Sequence, residues 1–364
     1  MRGAELSTGG GWGARGWGGG GHAGVMDRLG DEVRARVVAL VHRPRSRQVL
    51  LDAGLRDADL RRLLRGQALW HHHGHYVDGR LDEYLARIAC AQALHPGSVV
   101  SHFSAVRLAG LRNWTDGRRR SAPPADAAWL TRPPTTKRNQ RRQDIVVRRA
   151  ALEPADVSRH LWLPVTSTAR TVVDLARTLP FREAIVTVDD ALRSGISVGD
   201  LASVMERQFQ WPGVRRARNT IGFGDPRSES VLESIARAVF ALAGLPMPIL
   251  QAQFWDGAAW MPERVDFWWP QFRTIGEADG LAKYDSESPE ERRRQLRRGY
   301  RRDQRLSDRA VELVHFGWED VLDPRSDLIA RLRAAFARGS SRPGDPPTWR
   351  APAPHDPTLW LHAA

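Results

Sequence analysis

The chain has 364 residues, of which 41% are hydrophobic, and a formal net charge of +13. This length predicts two or three domains with packed cores, and the positive charge favours a polyanionic partner. The single cysteine, Cys90, excludes an intramolecular disulfide and a cysteine-rich metal site. The sequence contains no signal peptide and no apolar run of the roughly 18 residues that a membrane helix needs, so we expect a cytoplasmic protein without a membrane partner.

Both ends of the chain are poor in residues that could form a core. Residues 1–25 are rich in glycine, and residues 338–364 are rich in proline, glycine and serine. We therefore expect both segments to be disordered. The periodic apolar pattern begins only after Met26, which makes Met26 an alternative translation start to Met1.

Residues 26–80 predict three short helices followed by a β-hairpin. Valines at helical spacing between 33 and 41 indicate the first helix, Gly54 closes a second at 47–53, and Asp57 can cap a third at 58–65. Residues 68–77 are typical of a hairpin. This order outlines a winged helix-turn-helix, whose third helix reads the DNA major groove. We therefore expect DNA contacts from three arginines of the third helix, Arg61, Arg62 and Arg65.

Three consecutive histidines, His71, His72 and His73, lie in the predicted hairpin. Neighbouring residues of a strand point to opposite faces, so the three imidazoles cannot all bind one metal ion. A basic wing that contacts DNA and a solvated loop remain as interpretations.

Residues 81–222 predict a small α+β connector between the two ends of the chain. Cys90 has helical spacing to apolar neighbours, which favours a buried, inert thiol. Strands are predicted at 128–131 and 145–149. Arg170, Asp174 and Arg177 stand one helical turn apart, a spacing typical of surface ion pairs. The segment Ser-His-x-Ser-Ala-x-x-Leu-x-Gly-Leu at 101–111, together with the preceding helices and hairpin, resembles the N-terminal region of AbiEi-family antitoxins. That resemblance implies a regulator with DNA and a cognate toxin or antitoxin as partners.

Three carboxylates form the strongest functional signal of the sequence. Asp266 lies in an apolar run that stops at Pro270, and Glu277 and Asp279 end a second run, so two short strands are predicted. Glu277 and Asp279 are two residues apart and share a face, and a neighbouring strand can bring Asp266 within a few Å of them.

The negative charge of such a cluster must be neutralised, because like charges repel and burying unpaired ionised groups costs several kcal/mol. A divalent cation removes the conflict, and oxygen ligands alone favour Mg²⁺ or Mn²⁺ over Zn²⁺. Such an ion can activate water and stabilise the charge on a phosphodiester that is being cut. The alternative is a set of solvated acidic residues at strand ends.

The helix before these strands carries further acidic residues. Asp225 and Pro226 are typical of a helix start. Glu229 and Glu233 lie beside the apolar face of this helix, where they can either join the metal site or compensate the helix dipole.

Together, Ser230-x-x-Glu233, Asp266-Phe-Trp-Trp-Pro and Glu277-x-Asp279-Gly-x-x-Lys283 resemble the restriction-endonuclease-like domain of relatives of the very-short-patch-repair (Vsr) endonucleases. These belong to the PD-(D/E)xK superfamily, and the resemblance covers residues 225–325. It implies an Mg²⁺-dependent DNA endonuclease in which Asp266, Glu277 and Glu233 bind the metal.

Two positions depart from the family pattern. Asp279 stands where the superfamily usually has its lysine, and Lys283 stands where the closer relatives carry histidine. The alternative function is therefore an AbiEi-type regulator whose nuclease-like domain is inactive and binds only DNA or a partner.

Lys283 and the basic segment after it complete the predicted site. Lys137 and Lys283 are the only lysines among 55 basic residues. The pKa of an ammonium can fall beside a metal whereas a guanidinium stays protonated, so we expect Lys283 to handle a proton, with an ion pair to Asp279 as the alternative. The helix predicted after it has either a solvated basic face or DNA phosphate contacts from Arg292, Arg293 and Arg297.

The sequence thus predicts an α+β protein in five parts. These are a disordered tail (1–25), a winged helix-turn-helix (26–80), a connector (81–222), a restriction-endonuclease-like α/β domain (223–337) and a second disordered tail (338–364).

Overall fold

The computed structural model describes residues 31–117, 126–135, 140–141, 144–279, 294, 297, 302–306 and 308–353. These residues form an α+β fold with three separate sheets, which confirms the predicted fold class. They divide into two compact units. The first contains residues up to 111 and 115–174, and the second contains residues 112–114 and those from 175 onward. The finer domain boundaries remain a prediction. Within the described ranges, no helix has both the length and the apolar character required to cross a bilayer.

The first unit begins with three helices and a small sheet of strand order β1-β3-β2. Its elements are α1 (Asp31–Val41), β1 (Arg45–Ser46), α2 (Arg47–Asp52), α3 (Asp57–Arg65), β2 (Leu69–His72) and β3 (His75–Asp78). Val37, Leu50 and Leu63 are buried together in one core. The β2–β3 hairpin turns at His73 and Gly74, which both have positive φ as a two-residue hairpin turn requires. The three helices and the hairpin lie in the order that the sequence predicts.

The rest of the first unit is a six-stranded sheet of order β6-β7-β5-β4-β9-β8 with helices packed on it. Its elements are α4 (Glu83–Leu94), β4 (Val99–Val100), α5 (His102–Leu108), β5 (Ala128–Arg132), β6 (Gln140–Arg141), β7 (Ile145–Arg149), β8 (Val157–His160) and β9 (Leu163–Thr166). Ile88 of α4 packs in the same core as Leu130 and Val147 of the sheet. Cys90 is fully buried, which confirms its predicted buried position, and burial raises the pKa of its thiol to about 12.

An arginine with two carboxylate partners is buried beneath the first unit's surface. Arg170 belongs to α6 (Thr168–Thr178), and its Nε donates to Asp174 Oδ2 at 2.8 Å. Its Nη1 donates to Asp156 Oδ2, also at 2.8 Å. The predicted pairing of Arg170 with Asp174 is confirmed, but the predicted surface position is wrong because Arg170 is 1% exposed. Asp156, from the turn Pro154–Asp156, supplies the second charge partner that permits burial.

The second unit contains six helices with described bounds, and residues 302–306 are also helical. The six helices are α7 (Phe181–Arg193), α8 (Val198–Arg207), α9 (Val214–Gly222), α10 (Val231–Leu242), α11 (Trp318–Leu322) and α12 (Leu328–Ser340). The predicted helix start at Asp225 is wrong, because Ser230 is the N-cap of α10 and its Oγ accepts the N–H of Glu233 at 3.1 Å. Asp225 instead forms an ion pair with Arg227 at 2.6 Å, and its own N–H donates to the buried Asp189.

A five-stranded sheet of order β13-β12-β11-β10-β14 forms the centre of the second unit. Its strands are β10 (Ile249–Trp255), β11 (Trp260–Trp269), β12 (Thr274–Ala278), β13 (Glu312–Phe316) and β14 (Trp349–Arg350). Strands β10, β11 and β12 are antiparallel neighbours, and β13 runs parallel to β12. Phe240 of α10 packs edge-on against Phe267, Trp269 and Phe316 of the sheet. A Cβ at Gly276 would lie 3.1 Å from the Trp269 ring, so this aromatic layer favours glycine there.

Part of the segment expected to be disordered from residue 338 is ordered. Helix α12 continues to Ser340, and Trp349 pairs with Phe254 at the edge of the sheet. The Arg350 guanidinium lies 4.3 Å from the centre of the Trp260 ring, and its Nε donates to Gln253 Oε1 at 2.8 Å. The expectation was wrong for 338–353 because composition does not reveal that two residues can cover a strand edge. The predicted tail at 1–25 lies outside the described residues.

Candidate functional site

Adjacent strands bring Asp266 and Glu277 to one face of the sheet. Phe267 of β11 pairs with Gly276 of β12, so Asp266 and Glu277 occupy the next pair of positions in this antiparallel ladder. Cross-strand neighbours of this kind project to the same side. Asp266 Oδ2 also accepts the backbone N–H of Ala278 at 2.8 Å. The two carboxylates that the sequence placed near each other are thus neighbours in the structure.

Glu277 is bound by an arginine that the sequence analysis did not single out. Arg302 Nη2 donates to Glu277 Oε1 at 2.8 Å, and Arg302 Nη1 donates to Glu277 Oε2 at 3.1 Å. The Glu277 side chain is 1% exposed. Burial opposes the charge of Arg302, but the Glu277 carboxylate outweighs it and raises the pKa of Arg302 above its ordinary value. This bidentate pair neutralises Glu277 inside the protein.

Glu233 lies in the first turn of α10 and is held by uncharged donors. Its Oε2 accepts the N–H of Glu229 at 2.8 Å and the side-chain Nε2 of Gln251 at 3.1 Å. Burial raises the pKa of Glu233 to about 7, and the nearby Asp266 charge adds to this rise. Near neutral pH the Glu233 carboxyl is therefore divided between its protonated and its ionised form.

Gln251 is a second residue of the site that the sequence analysis missed. It lies on β10, is buried, and has a φ of 57°, an uncommon conformation for a residue other than glycine. Its side-chain amide reaches Glu233 from this strained position. Strained backbone of this kind is concentrated at functional sites.

His315 lies between two acidic residues and contacts both, Asp279 with one ring nitrogen and Asp303 with the other. Strands β12 and β13 place Glu277 beside His315. His315 Nδ1 lies 2.8 Å from Asp279 Oδ2, and its Nε2 lies 3.2 Å from Asp303 Oδ2. The hydrogen bond with Asp279 raises the pKa of His315 and is the largest effect on it; burial opposes this rise, and the charges of Asp279, Asp303 and Glu277 add to it. These acidic neighbours therefore favour the protonated form of the imidazole.

The other predicted site residues are distributed over the chain. Arg61 and Arg65 are exposed on α3, and the partly buried Arg62 lies 3.4 Å from Asp59. Arg297 is an exposed helical residue. Three predicted residues lie outside the described ranges, namely Lys283, Arg292 and Arg293.

The donors do not fit a three-carboxylate Mg²⁺ site as they are arranged. Within the described part of the chain, no group of three or more His, Cys, Asp or Glu side chains could hold a metal ion. Arg302 occupies both oxygens of Glu277, and His315 binds Asp279. The described residues therefore do not assemble a three-carboxylate site, whereas a site of one or two carboxylates completed by waters and substrate phosphates is common for Mg²⁺.

The hairpin histidines also do not assemble a metal site among the described residues. The His71 ring lies 4.6 Å from the ring of Tyr76, and His73 Nε2 lies 3.1 Å from Asp144. Burial lowers the pKa of both His71 and His72, so these two rings are neutral at pH 7. This argues against a wing that is basic through its histidines.

Comparison with known proteins finds distant relatives. No family model matches the chain. Two uncharacterized proteins of Mycobacterium tuberculosis, from strains CDC 1551 / Oshkosh and ATCC 25618 / H37Rv, are each 37% identical to it over 119 residues. The match covers 32% of this chain and 43% of each relative, so the chain spans less than half the length of these relatives.

Proposed function

We propose that this protein binds double-stranded DNA through α3 and the β2–β3 hairpin. The observation that supports this proposal best is the division of α3 into two faces. Leu60 and Leu63 are buried in the core, whereas Arg61 and Arg65, four residues apart on one side of the helix, are exposed. An exposed arginine-bearing helix beside a hairpin has the shape and the donors that a DNA major groove accepts.

The charge of the chain supports the same partner. Lys and Arg number 55 against 42 Asp and Glu. Arginine contacts to phosphate release condensed counterions, so they provide affinity without sequence preference. The guanidinium can also bind guanine bidentately, which provides sequence preference where the helix enters the groove.

A pair of double variants tests this proposal. Arg61→Ala with Arg65→Ala removes the exposed arginines of α3. Arg149→Ala with Arg159→Ala removes the same charge from exposed positions on β7 and β8 of the same unit. Fluorescence anisotropy with a short duplex should show a loss of about tenfold or more for the first pair and little change for the second. Equal losses of affinity in the two double variants would mean that net charge alone, and not the position of α3, accounts for DNA binding.

A metal-dependent DNA endonuclease in a defence, toxin–antitoxin or repair setting is the second candidate function. The observation that favours it is the crowding of Glu233 against Asp266, which helps to raise the pKa of Glu233 to about 7. Carboxylates with such shifted pKa values are typical of catalytic sites. Against it stand Arg302 and His315, which already bind Glu277 and Asp279. That arrangement favours a regulator whose C-terminal unit binds without cutting.

Plasmid incubation separates these two functions. Wild-type protein is mixed with supercoiled plasmid and Mg²⁺, Mn²⁺ or a chelator, beside Asp266→Asn. Metal-dependent nicking that Asp266→Asn abolishes would support the endonuclease. Intact plasmid under all three conditions, with DNA binding preserved, would support the regulator.

A further inference from the structure

The second unit contains an arginine-lined cavity beside the carboxylate site. Its volume is about 510 Å³, within the range of small-ligand sites. Four arginines line it, together with Glu229 and Gln251. These arginines are Arg112, Arg193, Arg227 and Arg264. Gln251 also donates to Glu233, so the cavity and the carboxylate site share a wall.

The arginines that line the cavity outnumber the carboxylates that pair with them. Arg193 donates to Asp190 at 2.6 Å, Arg264 donates to Glu229 at 2.7 Å, and Arg227 pairs with Asp225. Four guanidiniums thus meet three carboxylates, which leaves one positive charge among the lining arginines and their partners. An anion in the cavity would balance this charge.

Two of the arginines keep donors for a ligand. A guanidinium has five N–H donors in a planar fork. Within the described residues, the hydrogen bonds of Arg193 and of Arg264 each use one Nη group. Their side chains are 38% and 44% exposed, so the other donors are accessible. Phosphate and carboxylate oxygens both match the spacing of such a fork, and a phosphomonoester carries the larger negative charge at neutral pH.

The start of α10 adds a further positive potential. Arg112 Nη1 donates to the carbonyl oxygen of Glu229, in the turn before α10, which begins at Val231 and has 12 residues. The positive end of the helix dipole therefore lies beside the cavity wall and favours an anion there. The cavity has room for more than a phosphate group, and a nucleotide is of suitable size.

We infer that this cavity binds a phosphomonoester, carried either by a free nucleotide or by the 5′ end of a DNA strand, with Arg193 and Arg264 as its principal ligands. Both sources present the same terminal phosphate. The inference depends on the second unit alone, so it does not require DNA binding by α3.

Calorimetric titration of the full chain tests the inference. The probes are a nucleoside monophosphate, the matching nucleoside, and one single-stranded oligonucleotide with and without a 5′ phosphate. The variant Arg193→Ala with Arg264→Ala is compared with Arg215→Ala and Arg218→Ala, two exposed arginines on α9. The pair Arg193→Lys with Arg264→Lys keeps the charge but removes the fork. Thermal unfolding of each variant confirms that it is folded.

We expect the wild-type protein to prefer the phosphorylated member of at least one probe pair. The alanine pair at 193 and 264 should reduce that affinity about tenfold or more, the lysine pair should reduce it less, and the α9 pair should leave it within about twofold. Preference for the monophosphate over the nucleoside identifies a nucleotide, and preference for the phosphorylated oligonucleotide identifies a strand end. Equal binding within both probe pairs, or equal losses in the cavity and α9 variants, would overturn the inference.

Discussion

The two units both bury carboxylates, but they compensate the charge in different ways. In the first unit, Arg170 donates to Asp156 and to Asp174, each at 2.8 Å. In the second unit, Arg302 binds Glu277, whereas the donors that reach Glu233 within the described residues are neutral N–H groups. In the first unit one guanidinium thus bonds to both carboxylates. In the second unit, Glu233 has no charged hydrogen-bond donor among the described residues.

This difference separates a structural network from a candidate functional site. The Arg170 network is explained by folding alone, because one cation bonds directly to both carboxylates. The Glu233 region is not, because burial and a neighbouring carboxylate raise the pKa of Glu233 to about 7. Natural proteins retain such unfavourable arrangements mainly where function requires them.

The largest expected effect is on the Arg170 network. Arg170→Met keeps most of the side-chain volume but removes the buried guanidinium that binds Asp156 and Asp174. We expect a loss of about 3–5 kcal/mol in the free energy of unfolding, measured by urea denaturation. Arg159→Met, at an exposed position on β8, serves as the control. A loss below about 1 kcal/mol would mean that Arg170 is not essential to this network.

The next largest expected effect is a gain in stability, caused by replacing Glu233. The folded protein keeps the Glu233 proton up to about pH 7, whereas the unfolded chain releases it near the ordinary value of 4.5. The wild-type protein therefore loses stability as pH rises between these two values. Glu233→Gln removes this loss, so it should be more stable than wild type by roughly 3 kcal/mol at pH 8 and about equal to it at pH 4.

Urea denaturation at several pH values measures this gain. Glu206→Gln, at an exposed position on α8, is the control and should show no such trend. A Glu233→Gln protein that is less stable than wild type at pH 8 would contradict the origin proposed for the shifted pKa.

The smallest effect concerns His315. Its folded-state pKa is raised above the ordinary value of 6.5, chiefly by the hydrogen bond with Asp279. The stabilisation is complete below pH 6.5 and disappears as pH rises through the raised value. His315→Gln should remove this part of the pH dependence, and NMR titration of the wild-type imidazole should give a pKa above 6.5. A pKa at or below 6.5 would contradict the proposed effect of Asp279 on the His315 imidazole.

Local patterns allowed much of the fold to be predicted. The strand predicted at 145–149 is present at the same residues, and the third helix differs from its prediction by one residue. Asp266 and Glu277 were recognised because acidic residues stand out in or at the ends of apolar runs. These features depend on neighbours in sequence, which periodicity reveals.

The partners of the site residues were not predictable in the same way. Arg302 lies 25 residues from Glu277 among many other arginines, and Gln251 reaches Glu233 from a neighbouring strand across 18 residues. Likewise, the spacing of Arg170 and Asp174 predicted their pairing, but the contact with Asp156 decides that the pair is buried. Such contacts depend on tertiary packing, for which a single sequence carries no local signal.

A salt titration of DNA affinity tests the proposed function most directly. Anisotropy with wild-type protein and a short duplex is measured between about 50 and 200 mM salt, with and without a chelator. We expect tight binding at low salt, a steep linear fall of log affinity with log salt, and no effect of the chelator, because arginine contacts to phosphate provide the affinity. Binding that does not respond to salt, or no binding at about 50 mM salt, would contradict DNA as the partner.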